Sequence, residues 1–199
     1  VDELFDIKVL DPAMGSGHFL VEAVDFITDK TIDFLNAFPW NPVIAHLERM
    51  RQTILKEMED QGITIDARRL TDVNLLKRYV LKKCVYGVDL NPMAVELAKV
   101  SLWLDCFTLG APLSFLDHHL RCGNSLIGVT VQEVQKALEE KQLNLFTSRF
   151  AGLLLATDLM RRVGDLSDVT SAQVRESRAE YARASEALAP FKRILDIYT

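Results

Sequence analysis

Apolar positions along the chain change their spacing several times, and each change predicts an element. Ile7-Lys8-Val9-Leu10 is a short β-branched, apolar run that predicts a strand, ended by Asp11-Pro12. After Gly15-Ser16-Gly17 the spacing turns helical, with Phe19, Leu20, Ala23, Val24, Ile27, Ile32 and Leu35 on one face. Pro39 and Pro42 punctuate the end of that helix. Ile44, Leu47, Met50, Ile54, Leu55 and Met58 predict a second helix, which Gly62 breaks, and Val73, Leu76, Val80 and Leu81 predict a third over Asp72 to Lys83. Residues 39–83 therefore read as a helical insertion. Cys84-Val85-Tyr86-Gly87-Val88-Asp89-Leu90 is a nearly continuous apolar run that suits a strand of a sheet buried on both faces. Asn91 is placed to cap the next helix, with Pro92 at its first position. Val95, Leu97, Ala98, Leu102 and Leu104 carry that helix to Asp105, and a third strand is expected at His119 to Cys122. From Val131 onward the pattern is helical, over Glu133 to Lys141, Phe150 to Val163 and Gln173 to Tyr198, with Thr170 or Ser171 as a cap of the last.

Composition narrows the class. With 199 residues, 49% of them hydrophobic and 26% charged, the chain can bury one sizeable core and is not a disordered segment. A net charge of −5 argues against a free-standing basic module that coats DNA. Cys84, Cys106 and Cys122 are odd in number and lack CxxC spacing, against a disulfide scaffold or zinc site and for a reducing compartment, the cytoplasm. No apolar run approaches the ~20 residues that span a bilayer, so no membrane partner is expected. The opening Val1-Asp2-Glu3 is unlike a signal peptide and suggests a piece of a longer protein.

Two strings carry the chemistry. In Asp11-Pro12-Ala13-Met14-Gly15-Ser16-Gly17-His18-Phe19-Leu20 a strand ends in a carboxylate and turns sharply into a helix. Gly15 and Gly17 permit positive φ and let a ligand approach the backbone, and a carboxylate at a strand's C-terminal end lies where open α/β sheets bind ligands. An acidic strand end suits a cationic group such as an amine or a sulfonium; the plain alternative is a tight turn with a solvated Asp. Phosphate readings are weak, because GxxxxGK[ST] is absent and GxGxxG would need glycine where Leu20 stands. The second string is Gly87-Val88-Asp89-Leu90-Asn91-Pro92, whose acid ends the second strand and is placed to accept from ribose hydroxyls. Asp11 and Asp89 are 78 residues apart, far beyond the usual separation of about 20; the helical insertion accounts for the excess. The plain alternative for Asp89 is a helix-capping role beside Asn91.

Together these strings resemble the glycine loop and ribose-acid motifs of N6-adenine DNA methyltransferases, and most of all those of large bacterial restriction–modification and phage-defence proteins. Gly123-Asn124-Ser125-Leu126-Ile127-Gly128 is similar to the segment after the third strand in that group. The resemblance covers about 10–36 and 84–128. It implies a Rossmann-like, doubly wound parallel sheet, present in part, with the helical insertion and a helical C-terminal extension: an α/β core over 1–128 and the extension over 129–199. It also implies S-adenosylmethionine as cofactor. Asp11 and the Pro12, Ala13, Met14, Gly15, Ser16, Gly17, His18 and Phe19 segment would hold its methionine end, Asp89 its ribose, and Leu90, Asn91 and Asn124 would lie near the nucleoside.

The same resemblance exposes a departure. The family's catalytic motif is Asn/Asp-Pro-Pro-Tyr/Phe, which binds the target amine and stacks on a flipped base. No Pro-Pro pair occurs in this chain: Asn41-Pro42 is followed by Val43, and Asn91-Pro92 by Met93. No catalytic residue is therefore assigned, and the expectation is a cofactor-binding part, inactive alone, of a protein that acts on DNA together with its remaining domains. Met14, where many relatives carry Cys, should alter only packing beneath the loop. Two rivals are a non-catalytic scaffold that binds a partner subunit and a methyltransferase acting on RNA or protein, since target choice lies outside the cofactor half. His118-His119 with Cys122 lacks a spaced partner pair and reads as a loop rather than a metal site. Cys84 and Cys106 read as buried small hydrophobes. The basic groups Arg49/Arg51, Arg68/Arg69, Lys77-Arg78 and Lys82-Lys83 read as solvated faces or as contacts to a phosphate backbone. Trp40 and Trp103 read as anchors between insertion and sheet.

Overall fold

The computed structural model describes residues 2–38, 41–64, 66–128 and 150–198. They form two compact units, 1–123 with 167–175, and 124–166 with 176–199. The first unit holds a parallel three-stranded sheet in the order β1 (Val9–Asp11), β2 (Val85–Asp89), β3 (Leu120–Cys122). The chain is thus α/β, and this strand order is compatible with part of a Rossmann-like sheet. Val9 pairs with Val85 and Asp11 with Gly87 on one side of β2, and Asp89 pairs with Cys122 on the other.

Helices α1 (His18–Asn36), α2 (Pro42–Asp60), α3 (Asp72–Cys84) and α4 (Pro92–Asp105) join the strands. Their starts follow from local chemistry. Asn41 and Asn91 cap α2 and α4 through their side chains, each with proline at the first position, and Thr71 caps α3 by accepting from Asn74 N. A 3-10 turn over Ala67–Arg69 is capped by Asp66. Another 3-10 turn, Asp2–Phe5, precedes β1 and drives Phe5 into the core, edge-on to Tyr79 at 4.9 Å.

The helices between β1 and β2 are part of the main core, not an appendage: Leu47, Met50, Ile54, Leu75, Leu76, Val80 and Leu81 pack in one cluster with Leu20, Val24, Val85, Ala98 and Leu102. Several expectations change in detail. The first strand is shorter than expected, and Phe19 and Val73, placed by spacing on apolar faces, are exposed. Within the first unit, the described helices cover one face of the sheet. Val85 and Gly87 lie beneath the helices, whereas Leu10, which pairs with Tyr86 across from them, is 59% exposed. The largest correction concerns charge: Arg78 and Lys82, expected on a solvated or DNA-facing side, are both buried. Lys77 is engaged by Asp25 and Asp105, and Arg51 by Glu48 and Asp72; Arg49, Arg68 and Arg69 are exposed as expected. Trp103 donates through Nε1 to Ser114 O at 2.9 Å, tying α4 to the loop that follows it. Trp40 and the helix expected over Glu133 to Lys141 lie outside the described residues.

The second unit contains α5 (Phe150–Asp165) and most of α6 (Ser171–Tyr198), which meet around Ala156, Leu159 and Ala184. Thr170 caps α6, accepting from Gln173 N at 3.2 Å. No helix among the described residues is long and apolar enough to cross a membrane.

Candidate functional site

Both acidic strings end at the C-terminal edge of adjacent parallel strands, and the structure joins them directly. Gly15 N donates to Asp89 Oδ2 at 2.9 Å, across 74 residues of sequence. Asn91 N donates to the other oxygen, Oδ1, at 2.8 Å. The two backbone donors, Asn91 first and Gly15 second, hold the Asp89 carboxyl below its ordinary range, so it is ionised and accepts only. Each oxygen keeps lone-pair capacity for a further donor. Gly123 N donates to Asp89 O at 2.9 Å, which fixes the acid from the β3 side.

The loop from Asp11 to Gly17 is built by its own chain. Asp11 Oδ1 accepts from Ala13 N at 3.0 Å, turning the chain directly after the strand. Met14 N donates to Val88 O at 3.0 Å, and its side chain is buried. Met14 Sδ lies above Gly87, where an added Cβ would come within 2.3 Å of it. Gly15 has φ +54°, and no heavy atom lies within 4 Å of the position a Cβ would take, so its backbone faces open space that a ligand can enter. Gly17 has φ +84°, and a Cβ there would stand 3.1 Å from Ala98 Cβ, so glycine permits both the turn and the close approach of α1 to α4.

Gly17 caps α1 without any side-chain hydrogen bond, which leaves first-turn N–H groups of α1 unmet by a side-chain cap. Ser16 Oγ and His18 Nδ1 lie 3.0 Å apart beside them, and His18 is exposed. Pro12, Ala13, Phe19 and Leu90 are exposed at this edge. The Asn91 side chain is spent on the cap of α4, accepting from Met93 N at 3.0 Å, so its link to the site is its backbone N–H. Cys122, to which sequence reasoning assigns no role at this edge, lies in register with Asp89, with Sγ 3.5 Å from Leu90 O. Asn124 falls in the second unit, where its Oδ1 accepts from Leu126 N at 2.9 Å.

Sequence reasoning missed Gly87 as a partner of the loop. Its signal was legible: a lone glycine inside an apolar strand marks a close approach. Among the described residues no group of three His, Cys, Asp or Glu side chains is placed to share a metal ion. His119 is buried, its Nδ1 is 2.5 Å from Val85 O, and its ring stacks on Tyr86 at 4.4 Å. Cys84 and Cys106 are buried, and burial pushes the Cys84 thiol up to about 11, so it stays protonated.

A putative type II restriction enzyme and methyltransferase of Methanocaldococcus jannaschii is 30% identical to the chain over 137 residues, 64% of the chain and 9% of that protein. A type II restriction enzyme and methyltransferase of Escherichia coli is 28% identical over 134 residues, 63% of the chain and 12% of that protein. The chain is related to the restriction–modification methyltransferases. It spans about a tenth of the length of these relatives. No family model and no solved structure matches the chain. For a methyltransferase-related chain, a glycine loop hydrogen-bonded to an acid at the next strand's end is the arrangement with most chemical content, and the described residues place it at one edge.

Proposed function

We propose that this chain is the S-adenosylmethionine-binding part of an N6-adenine DNA methyltransferase of a restriction–modification or phage-defence system, built on one half of a Rossmann-like, doubly wound sheet. The observation that carries the reading is the hydrogen bond from Gly15 N to Asp89 Oδ2. It brings the glycine loop and Asp89 together at one edge of the sheet, which supports reading them as two walls of one site. Asp89, ionised and held by Asn91 N and Gly15 N, offers its remaining lone pairs to vicinal hydroxyls of a ribose. The open backbone at Gly15 and the first turn of α1, free of a side-chain cap, suit the cofactor's carboxylate, because unmet N–H groups and the helix dipole favour negative charge. Asp11 suits its ammonium, and Leu90 offers apolar surface to the nucleoside.

The bound cofactor supplies an electrophilic methyl on sulfur, which in the intact protein passes to the exocyclic amine of adenine. This chain's share is to bind and orient; its residues include no Asn-Pro-Pro-Tyr string to hold the amine, so we expect no methylation of DNA by the chain alone. The core over 1–128 with an extension over 129–199, a cytoplasmic location, and DNA and further domains as partners belong to the same proposal.

The test is calorimetric titration with S-adenosylhomocysteine. Loss of the carboxylate in Asp89→Ala removes its charge-assisted hydrogen bonds to the ribose, so affinity should fall at least roughly tenfold while circular dichroism is unchanged. Equal affinity in wild type and variant would overturn the assignment of Asp89. No binding by the wild-type chain would favour the scaffold reading.

A further inference from the structure

Met14 carries the one buried side chain of the loop between β1 and α1, with exposed Ala13 before it and half-buried Gly15 and Ser16 after it. Its N–H donates to Val88 O at 3.0 Å, and its carbonyl accepts from Gly17 N at 2.8 Å. Its sulfur converges with Leu20 of α1 and Leu120 of β3 on the place that Gly87 leaves empty for want of a Cβ. The peptide unit that follows, from Met14 C=O to Gly15 N–H, is planar and moves as one piece. Gly17 N holds its carbonyl, and its N–H donates to Asp89 Oδ2 at 2.9 Å. No heavy atom lies within 4 Å of the place a Cβ on Gly15 would take, so the unit is braced from beneath, by Met14, and not from the ligand side.

We propose that Met14 is a positioning residue: its buried side chain sets the Gly15 N–H where Asp89 accepts it, and through Asp89 it governs how tightly the site holds a ribose. The second half of this statement rests on reading Asp89 as the ribose acid. The first half follows from how the carboxylate is held. Asn91 N engages Oδ1 from within the same turn, whereas Gly15 N engages Oδ2 from 74 residues away. The terminal torsion of an aspartate is broad, so one local donor leaves the carboxylate plane free to turn and the second donor fixes it. Met14 thus acts beyond packing. With a shorter side chain at position 14 the loop settles toward Gly87, the Gly15 N–H moves off Oδ2, and the lone pairs offered to a ligand lose their fixed direction.

The test is a carbon-13 NMR titration of the full chain labelled at its aspartate carboxyls, with the Asp89 signal assigned by its absence in Asp89→Asn. In Met14→Ala the Asp89 carboxyl should titrate at higher pH than in the wild type, because one of the two backbone donors that lower it is displaced. Calorimetry with S-adenosylhomocysteine should show affinity lower by at least roughly fivefold, as for a weakened hydrogen bond to a charged group. Met14→Leu, close in volume, should restore both readouts. A loss of stability alone moves neither. The other titratable groups at this edge, Asp11, His18 and Cys122, are the same in every variant. If Met14→Ala does not fold, Met14→Val should show the same upward change in the Asp89 titration, to a smaller extent. An Asp89 titration that is unchanged in the shortened variants, or a Met14→Leu chain as impaired as Met14→Ala, would overturn the proposal. A wild-type chain that binds no S-adenosylhomocysteine would count against the cofactor reading, while the titration still decides whether Met14 positions Asp89.

Discussion

At the residue scale, the site depends as much on what is missing from a side chain as on what is present. Gly87 has an ordinary backbone, yet a Cβ there would meet Met14 Sδ at 2.3 Å, Leu20 Cδ1 at 2.9 Å and Leu120 Cδ2 at 3.2 Å. All three neighbours are buried and packed, so none can give way without moving the loop or the strand. Gly87→Ala should therefore cost about 1–3 kcal/mol, the usual penalty of overpacking a filled core, measured by urea denaturation. Shortening the sulfur-bearing chain should relieve part of it: the double variant Gly87→Ala with Met14→Ala should be more stable than the sum of the single effects implies. Strict additivity would show that the clash is taken up elsewhere. The expectation that Met14 concerns packing beneath the loop thus acquires a partner in Gly87 that helical and strand periodicity could not name, since the two are 73 residues apart.

At the element scale, much was legible because each element announces itself locally. The caps Asn41, Thr71, Asn91 and Thr170 and the prolines after two of them set helix starts close to where spacing put them. Spacing could not decide which of two apolar faces of α4 turns inward, nor that Arg78 and Lys82 turn into the core, because inward and outward are set by neighbours distant in sequence. Strand β2 shows how such neighbours act. His119, just before β3, holds β2 three ways: its ring stacks on Tyr86, its Nδ1 donates to Val85 O, and its carbonyl accepts from Gly87 N at 2.9 Å. Burial pushes the His119 imidazole down to about 4, and burial also lowers His118 beside it. A histidine lowered on folding binds fewer protons than in the unfolded chain, so stability is complete above the unfolded value near about 6.5 and is lost as pH falls toward 4. The loss should be on the order of a few kcal/mol. The wild-type denaturation midpoint should drop clearly between pH 7.5 and pH 5, and His119→Gln should show a smaller drop from a lower start. An equal drop in both would place the acid sensitivity elsewhere.

For the whole molecule, the decisive feature is the return of 167–175 to the first unit, which no local pattern announced. Asp168 is fully buried and left-handed, with φ 53°. Its carboxylate pairs with Lys82 and accepts from Phe115 N at 3.0 Å, while its carbonyl accepts from Arg78, whose guanidinium also reaches Pro112 O at 2.5 Å. Beside it Val169 joins the main core, and Ser171 N donates to Glu57 Oε1 at 3.1 Å. Two buried cations on α3 thus depend on one buried anion from a segment 86 residues past Lys82. Desolvation dominates here: burial lowers Lys82 to about 8 even with Asp168 in contact. Removing the anion takes a counter-charge away from both buried cations, and losing one partner of a buried pair costs about 3–5 kcal/mol. Asp168→Asn tests this best, because asparagine tolerates the left-handed backbone and keeps an acceptor for Phe115 N, isolating the charge. It should lower unfolding free energy by several kcal/mol in urea. Asp25→Asn, at a partly exposed pair where Asp105 still holds Lys77, should cost less than about 1 kcal/mol. Similar losses in the two variants would mean that the buried charges are dispensable to the first unit, and that 167–175 is held there by its apolar contacts and its uncharged hydrogen bonds.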